Sequence, residues 1–528
     1  MTLKPLGDSA WLVEFPDDKG EAALARVTGL VEALEKSRPD GVLDIVPSFA
    51  SVAVHLGMAD GSEIRTWIAS VTMADRLPEG GEKRIPVCYG GEDGPDLIEL
   101  AAATGLSPDE VISLHSSAVY TVAAVGFSPG FPYLAGLPEP LHVPRRSTPR
   151  LAVPAGSVAI AGGQAGIYPF TSPGGWHVLG RTGETLFDPH AARPALLRPG
   201  DRVRFVPVAE LGAAVKISSP QETTAPCGIE VIQPGGLTTV QDLGRPGHES
   251  SGVSPGGAAD PHSLRLANLM VGNPENAAGL EICVSGPVLK FHVDTVVALV
   301  SGSGKPRRVK EGETVDFSKL PHGVRACLAI AGGIRVPEIL GSMATDVRAG
   351  FGGHQGRALR AGDRLEIGEP GYIPPPGGWQ VGRPERAAGI ELRFLPGVQE
   401  SWFSAEASRR FRTEIYQLTP KSDRMGARLA GPPLEPAAPR EMVSQPVACG
   451  SVQVPPDGQP IVLLAERQTI GGYPQIGHVI SADLPKLARA WPGTPVRFRE
   501  VTWEEARKSR REEERDFKWL QTGLKLLK

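Results

Sequence analysis

The feature that most constrains this chain is a stretch of sequence written twice. Residues 156–180 read GSVAIAGGQAGIYPFTSPGGWHVLG, and from Gly450 the chain reads GSVQVPPDGQPIVLLAERQTIGGYPQIGHVI. Both stretches run GSV, then GQ, then a Gly-Gly-aromatic corner, then a glycine inside an apolar run. Three segments also end on one closing pattern: PGDRVRF (199–205), AGDRLEI (361–367) and PGTPVRF (492–498). From the GSV opening to the closing glycine, the first and third agree in length to within about a residue, as duplicated folding units should. β-branched runs broken by Gly and Pro point to closed barrels. The expected fold is therefore mainly β with α/β additions: three copies of a β-barrel behind a small N-terminal α/β domain.

The rest of the 528 residues divides around that repeat. Residues 1–82 carry a strand (Ala10 to Phe15), an amphipathic helix (Glu21 to Leu34) and an alternating strand from Ser51. Residues 83–210 form the first barrel, with a helix start at Ser107-Pro-Asp-Glu110. The polar, Pro-containing run 211–227 is expected to be a linker, followed by barrels at 228–390 and 391–502. Residues 503–528 form a charged helix with Phe517, Leu520, Leu524 and Leu527 at helical spacing, docked on the body or on a sister chain.

Composition removes several function classes. A net charge of −4 leaves no basic footprint for nucleic acid. No window reaches the length of a membrane span, and the opening MTLKPLGDSAWLVEF has no signal-peptide core. The 5 cysteines lie far apart with no CxxC pair, which points to the cytoplasm. None of the 11 histidines has HxH or HExxH spacing, so no protein-bound catalytic metal is expected.

Longer motifs carry a resemblance. VGFSPGFPYLAGLP and VPRRSTPRLAVPAGSVAIAGGQAGIYPFTSPGGWHVLGRT resemble the B component of 5-oxoprolinase, of the allophanate hydrolase subunit 1 family. VIQPGGLTTVQDLGRPGHESSGVSPGGAADPHSLRLANLMVGN, GSMATDVRAGFGGHQGRAL and RQTIGGYPQIGHVISADLPKLA resemble the C component of the same enzyme, of the biotin-dependent carboxyltransferase-like family. The chain thus looks like a B–C fusion, similar to the carboxyltransferase region of urea carboxylase. The resemblance implies cyclophilin-like barrels, one in the B part and two in the C part. It also implies ATP-dependent opening of the lactam of 5-oxoproline to glutamate with a separate A component of 5-oxoprolinase, and an assembly of more than one chain.

A lactam is a resonance-stabilised amide, so a site for that reaction needs donors around phosphate, a cation, and a carboxylate to hold Mg²⁺ or the lactam N–H. No P-loop is present, because GSGKPRR has Pro306 where Ser or Thr is required. Candidates lie where charges interrupt Gly-rich turns. Asp423, Arg424, Arg467, Asp242 and Arg245 are candidate catalytic residues, with Asp423–Arg424 equally readable as a structural turn pair. Arg428, Arg348, Gly353 and Arg357 are candidates for phosphate or nucleotide. Gln164, Tyr168, His177, Phe127, Gln468 and Tyr473 are candidates for a small, flat substrate, and the aromatics can equally be barrel core. The repeated rims, with the Gln241–Arg245 turn, are expected to face one another across a shared cleft. The competing functions are carboxyl transfer from biotin on another protein to urea or a related amide, non-enzymatic regulation of a histidine kinase, and, on fold analogy alone, prolyl isomerisation.

Overall fold

The computed structural model describes the chain except residues 17–19, 59–60, 77–79, 212–227, 320–322, 372–379, 383–388, 439, 441 and 527–528. The expected linker therefore lies almost wholly outside the described residues, as does Leu527.

The N-terminal domain is a four-stranded sheet in the order Thr2–Pro5, Ala10–Glu14, Ser51–Leu56, Val42–Pro47. Its helix Gly20–Lys36 buries Val27, Leu30 and Leu34. That spacing places them on one helical face.

Two closed barrels follow from the repeated sequence. The first contains Glu82–Tyr89, Tyr120–Val125, Pro132–Ala135, Ser157–Ala161, Gln164–Ile167, His177–Arg181 and Arg202–Pro207. The second contains Ile390–Pro396, Tyr416–Leu418, Gly426–Ala430, Ser451–Gln453, Ile461–Leu463, Gln475–Val479 and Pro495–Glu500. Numbered 1 to 7 along the chain, both close in the same cyclic order, 1-6-4-5-3-2-7. In both, the last strand runs parallel to the first, Glu82 beside Arg202 and Ile390 beside Val496. Each barrel also carries a two-stranded flap, Arg150–Val153 with Ser172–Gly174 and Gln445–Pro446 with Ile470–Gly471. The sequence repeat is thus a structural duplication. The helix Pro108–Ser117 in the first barrel starts where expected, and Ser107 and Glu110 there form a reciprocal capping box.

The third expected barrel is a correction. Between the two closed barrels stand two five-stranded sheets. The closing strand Arg364–Ile367 pairs antiparallel with the opening strand Ile229–Gln233, where the true barrels pair parallel. The three closing motifs share a local turn and not a closure. Gly200, Gly362 and Gly493 have φ of 94°, 88° and 87°, a conformation that glycine adopts without strain. Asp201 and Asp363 then accept from the main-chain N–H of Arg198 and Arg360. Such a turn starts a strand but leaves its pairing partner open.

The modules share apolar cores. One cluster joins Leu12 and Val46 of the N-terminal sheet, Phe131 and Trp176 of the first barrel, and Val398, Ala448 and Ile470 of the second. Each fully buried Leu, Val, Ile or Phe among them contributes roughly 1.5–3 kcal/mol. The C-terminal helix Trp503–Lys525 docks on the middle module through Phe517 and Leu524, as its spacing predicts. Among the described residues, no helix is long and apolar enough to cross a membrane.

Candidate active site

The two barrels meet where a loop of the first, residues 126–131, touches the flap of the second. A Cβ on Gly126 would collide with Ile470 Cγ1 and lie 3.0 Å from Thr469 Oγ1, so only glycine permits this approach. The next residue, Phe127, has φ of 68°, a strained conformation for a bulky side chain and a type that clusters at functional sites. The same loop reaches the middle module, where Gly130 N–H donates to Ser251 O at 3.0 Å. The two barrels are thus in direct contact at this loop, with the middle module beside them.

On the first rim, Phe131 packs edge-on against Phe127, Tyr133, Tyr168 and Trp176. Phe131, Tyr133, Tyr168 and Trp176 are buried, so Tyr168 is chiefly core and not an open wall. The Tyr133 hydroxyl reaches Ser444 of the second barrel. On the second rim, Gln468 Nε2 donates to Gln453 Oε1 at 3.0 Å, and Gln453 Nε2 to the Tyr473 carbonyl at 3.4 Å. Tyr473 itself is 38% exposed.

Beneath this junction lies a buried ionic seam. Arg467 Nη2 pairs with Glu249 Oε2 at 2.6 Å, while its Nε and Nη1 have no partner among the described residues although the side chain is 2% exposed. His55 stands 3.4 Å from Glu249. Burial, then the Arg467 charge, lowers its pKa to about 3, so it is neutral. Burial raises the Glu249 carboxyl and Arg467 pulls it back. Arg424 pairs with Glu466 Oε1 at 2.6 Å and with Glu281, and donates to Gly257 O at 2.5 Å. Its two carboxylates overcome the cost of burial and raise its pKa. Arg245 donates to the carbonyls of Ile339 and Ala344, and its guanidinium lies 4.9 Å from the Phe351 ring centre. Its Nη1 has no partner among the described residues.

The structure thus brings Arg245, Arg424 and Arg467 into one seam, and Phe127, Gln468 and Tyr473 to the junction above it. Other expected site residues have local duties. Asp242 caps a turn, accepting from Gly244 N–H, Ser342 Oγ and Met343 N–H. Asp423 does the same for Met425 and Gly426. Arg348 contacts the Met425 sulfur, and Gly353 packs against Thr345. Arg357 is held by Asp363 at 2.7 and 2.8 Å. Arg428 projects outward from an alternating strand. Gln164 sits four residues along an extended strand from Tyr168, about 13 Å away, and does not join it. His177 Nε2 bonds to the Pro144 carbonyl at 3.0 Å. The sequence reading does not pick out Glu249, Glu281 or Glu466; for Glu281 the available signal is a single acid inside the apolar run GLEIC.

The buried guanidinium nitrogens of Arg467 and Arg245 are donors without a partner among the described residues, and carboxylate or phosphate oxygens are the acceptors whose geometry matches such donors. Among the described residues, no group of three or more His, Cys, Asp or Glu side chains can hold a metal. Magnesium carried on nucleotide phosphates needs one or two carboxylates from a protein.

Two family models match the chain: the carboxyltransferase domain, subdomains C and D, over residues 1–197, and subdomains A and B over residues 251–500. The chain is 39% identical over 305 residues to the C component of 5-oxoprolinase from Escherichia coli (strain K12), spanning 55% of this chain and 97% of that protein. The chain belongs to the carboxyltransferase domain family. It is also 41% identical over 227 residues to the B component of 5-oxoprolinase from Bacillus subtilis (strain 168), spanning 39% of this chain and 93% of that protein. The urea amidolyase of Lachancea kluyveri is 30% identical over 336 residues, 56% of this chain but 18% of that protein. Among solved structures, TTHA0988 superposes with a TM-score of 0.81 at 36% identity, covering 93% of this chain and 99% of that one. The K. lactis urea amidolyase superposes with a TM-score of 0.52 at 28% identity, over 57% of this chain and 20% of that one.

Proposed function

We propose that the chain is the fused B and C component of an ATP-dependent 5-oxoprolinase, activating the lactam of 5-oxoproline for hydrolysis to L-glutamate with a separate A component. The observation that carries this reading is that one chain spans nearly all of both relatives, 97% of a C component and 93% of a B component. Both regions also fold around one junction, with Gly126 of the first barrel against Ile470 of the second. ATP with Mg²⁺, when bound, supplies the phosphoryl group that makes the lactam oxygen a leaving group. In this reading Arg467, buried with two unused donors, neutralises an anionic group, and its Glu249 partner holds the guanidinium in place. Gln468, oriented by Gln453, offers an amide matched to the lactam N–H and carbonyl. The packed aromatics of the first rim exclude water. The four described cysteines are unpaired, which supports a reducing, cytoplasmic setting.

The test is ADP release by the purified chain with 5-oxoproline, with and without the A component. Release that requires 5-oxoproline, with glutamate appearing only when both proteins are present, is the expected result. No substrate-dependent release in any pairing would refute it. The family's carboxyltransferase description and the urea amidolyase relatives favour a second reading, carboxyl transfer from carrier-bound biotin to urea or a related amide. Carboxyl transfer from a carboxybiotin carrier would then be the positive result.

A further inference from the structure

The loop ahead of strand Arg150–Val153 and the strand's first residue carry three arginines, Arg145, Arg146 and Arg150. Two of them are engaged. Arg146 Nη1 donates to Asp96 Oδ1 at 2.7 Å and to Glu99 at 3.2 Å. Arg150 grips Asp96 through both carboxylate oxygens at 2.7 and 2.6 Å. The main chain of the loop is fixed as well: Arg146 N–H donates to Gly175 O at 2.9 Å, and the Pro144 carbonyl bonds to His177 Nε2 at 3.0 Å.

Arg145 lies between these anchors, is exposed, and has no carboxylate partner among the described residues. It reaches across to the second barrel. Its Nη2 lies 3.7 Å from where a Cβ on Gly472 would sit, and Ser444 Oγ lies 3.3 Å from the same point. It is also near enough to Tyr133 and Tyr168 for its charge to oppose the upward push that burial gives both hydroxyls. A free cation on a rigid loop, a hydroxyl pair and a bare glycine edge therefore meet where the barrels touch.

We propose that Arg145 is the carboxylate anchor of the substrate site, holding the anionic group of a small amide whose uncharged part faces Gly472 and Tyr473. This deepens the oxoprolinase reading and rests on it. It selects an amide that bears a carboxylate, as 5-oxoproline does and urea does not. His177, which the sequence offers as a substrate-binding candidate, is instead a positioning residue that sets the Arg145 loop through the Pro144 carbonyl.

The test compares wild type, Arg145→Ala and Arg145→Lys. Binding of 5-oxoproline and of 2-pyrrolidinone, the same ring without the carboxylate, is measured by calorimetry, and ADP release is measured with the A component present. The expected result is a KM for 5-oxoproline raised about 10- to 100-fold in Arg145→Ala, the range of a charged hydrogen bond. Little change in kcat, unchanged 2-pyrrolidinone binding and partial recovery in Arg145→Lys should accompany it. Arg145 is exposed, so the variants keep their fold, which an unchanged Tm verifies. ADP release with an unchanged KM in Arg145→Ala overturns the anchor and leaves the oxoprolinase reading. Carboxylate-selective binding without substrate-dependent ADP release overturns that reading and leaves the anchor. A wild-type chain that neither binds nor turns over 5-oxoproline overturns both.

Discussion

Replacing Arg424 by alanine should damage stability before chemistry. The side chain joins Glu281 of the middle module to Glu466 of the second barrel, all with side chains at most 6% exposed. Its removal leaves two buried carboxylates without a counter-ion, a change that costs about 3–5 kcal/mol. At about 2–4 °C per kcal/mol for a cooperative unit of some 200 residues, the Tm should fall by about 6–20 °C. Burial already raises the Glu466 carboxyl, and the Arg424 charge opposes that rise. Without the arginine its folded pKa climbs further. A carboxyl whose folded pKa exceeds its unfolded value binds its proton more tightly when folded. Its cost is therefore absent below the unfolded value and grows as pH rises through the folded one. The gap between variant and wild type should accordingly be widest at pH 7–8 and narrow toward the ordinary glutamate value of 4.5. Melting both proteins by calorimetry across that range measures it. An Arg424→Ala protein with a Tm within about 2 °C of wild type but no activity would refute the reasoning and return Arg424 to catalysis.

Three further outcomes follow from the same contacts. Burial lowers His55, His115 and His478 from 6.5 to about 3. Each adds stability above its unfolded pKa that is lost as pH falls toward the folded one, up to about 1.4 kcal/mol per pH unit. Denaturant midpoints should drop steadily from pH 6.5 to 5, less so in His478→Asn, and a flat profile would count against neutral buried imidazoles. Gly126→Ala should cost about 1–3 kcal/mol by forcing its Cβ into Ile470. The double variant with Ile470→Ala should be more stable than the sum of the two, and strict additivity would deny the contact. Asp96→Asn should raise the 5-oxoproline KM, because Asp96 holds Arg146, Arg150 and the Val178 N–H together. No further rise is expected when it is combined with Arg145→Ala, and an equal rise in that background would uncouple the loop from the site.

The local signals in the sequence reported well. The repeat announced two barrels of one topology, the Ser107 capping box formed, and Phe517 and Leu524 docked as their spacing required. Pairing across modules was not legible. Glu281 lies 143 positions from Arg424, and Glu249 lies 218 from Arg467, so no window of sequence contains both partners. The AGDRLEI segment misled for a related reason, since it encodes a left-handed glycine turn, and the strand beside it is chosen by the core. Arg145 stands in a run of similar arginines, and only the position of Asp96 shows which of them remains free.

A barrel whose first and last strands run the same way behaves as a conduit. The chain enters the first barrel at Glu82, beside Arg202, and leaves past Pro207 at the far end, about 20 Å on for a six-residue strand. Two such units strung in series, each left at the end opposite its entry, still meet here, Gly126 against Ile470. The two-sheet module touches the same junction, where Gly130 N–H donates to Ser251 O at 3.0 Å, so a displacement of one module is felt by the other two at that one point.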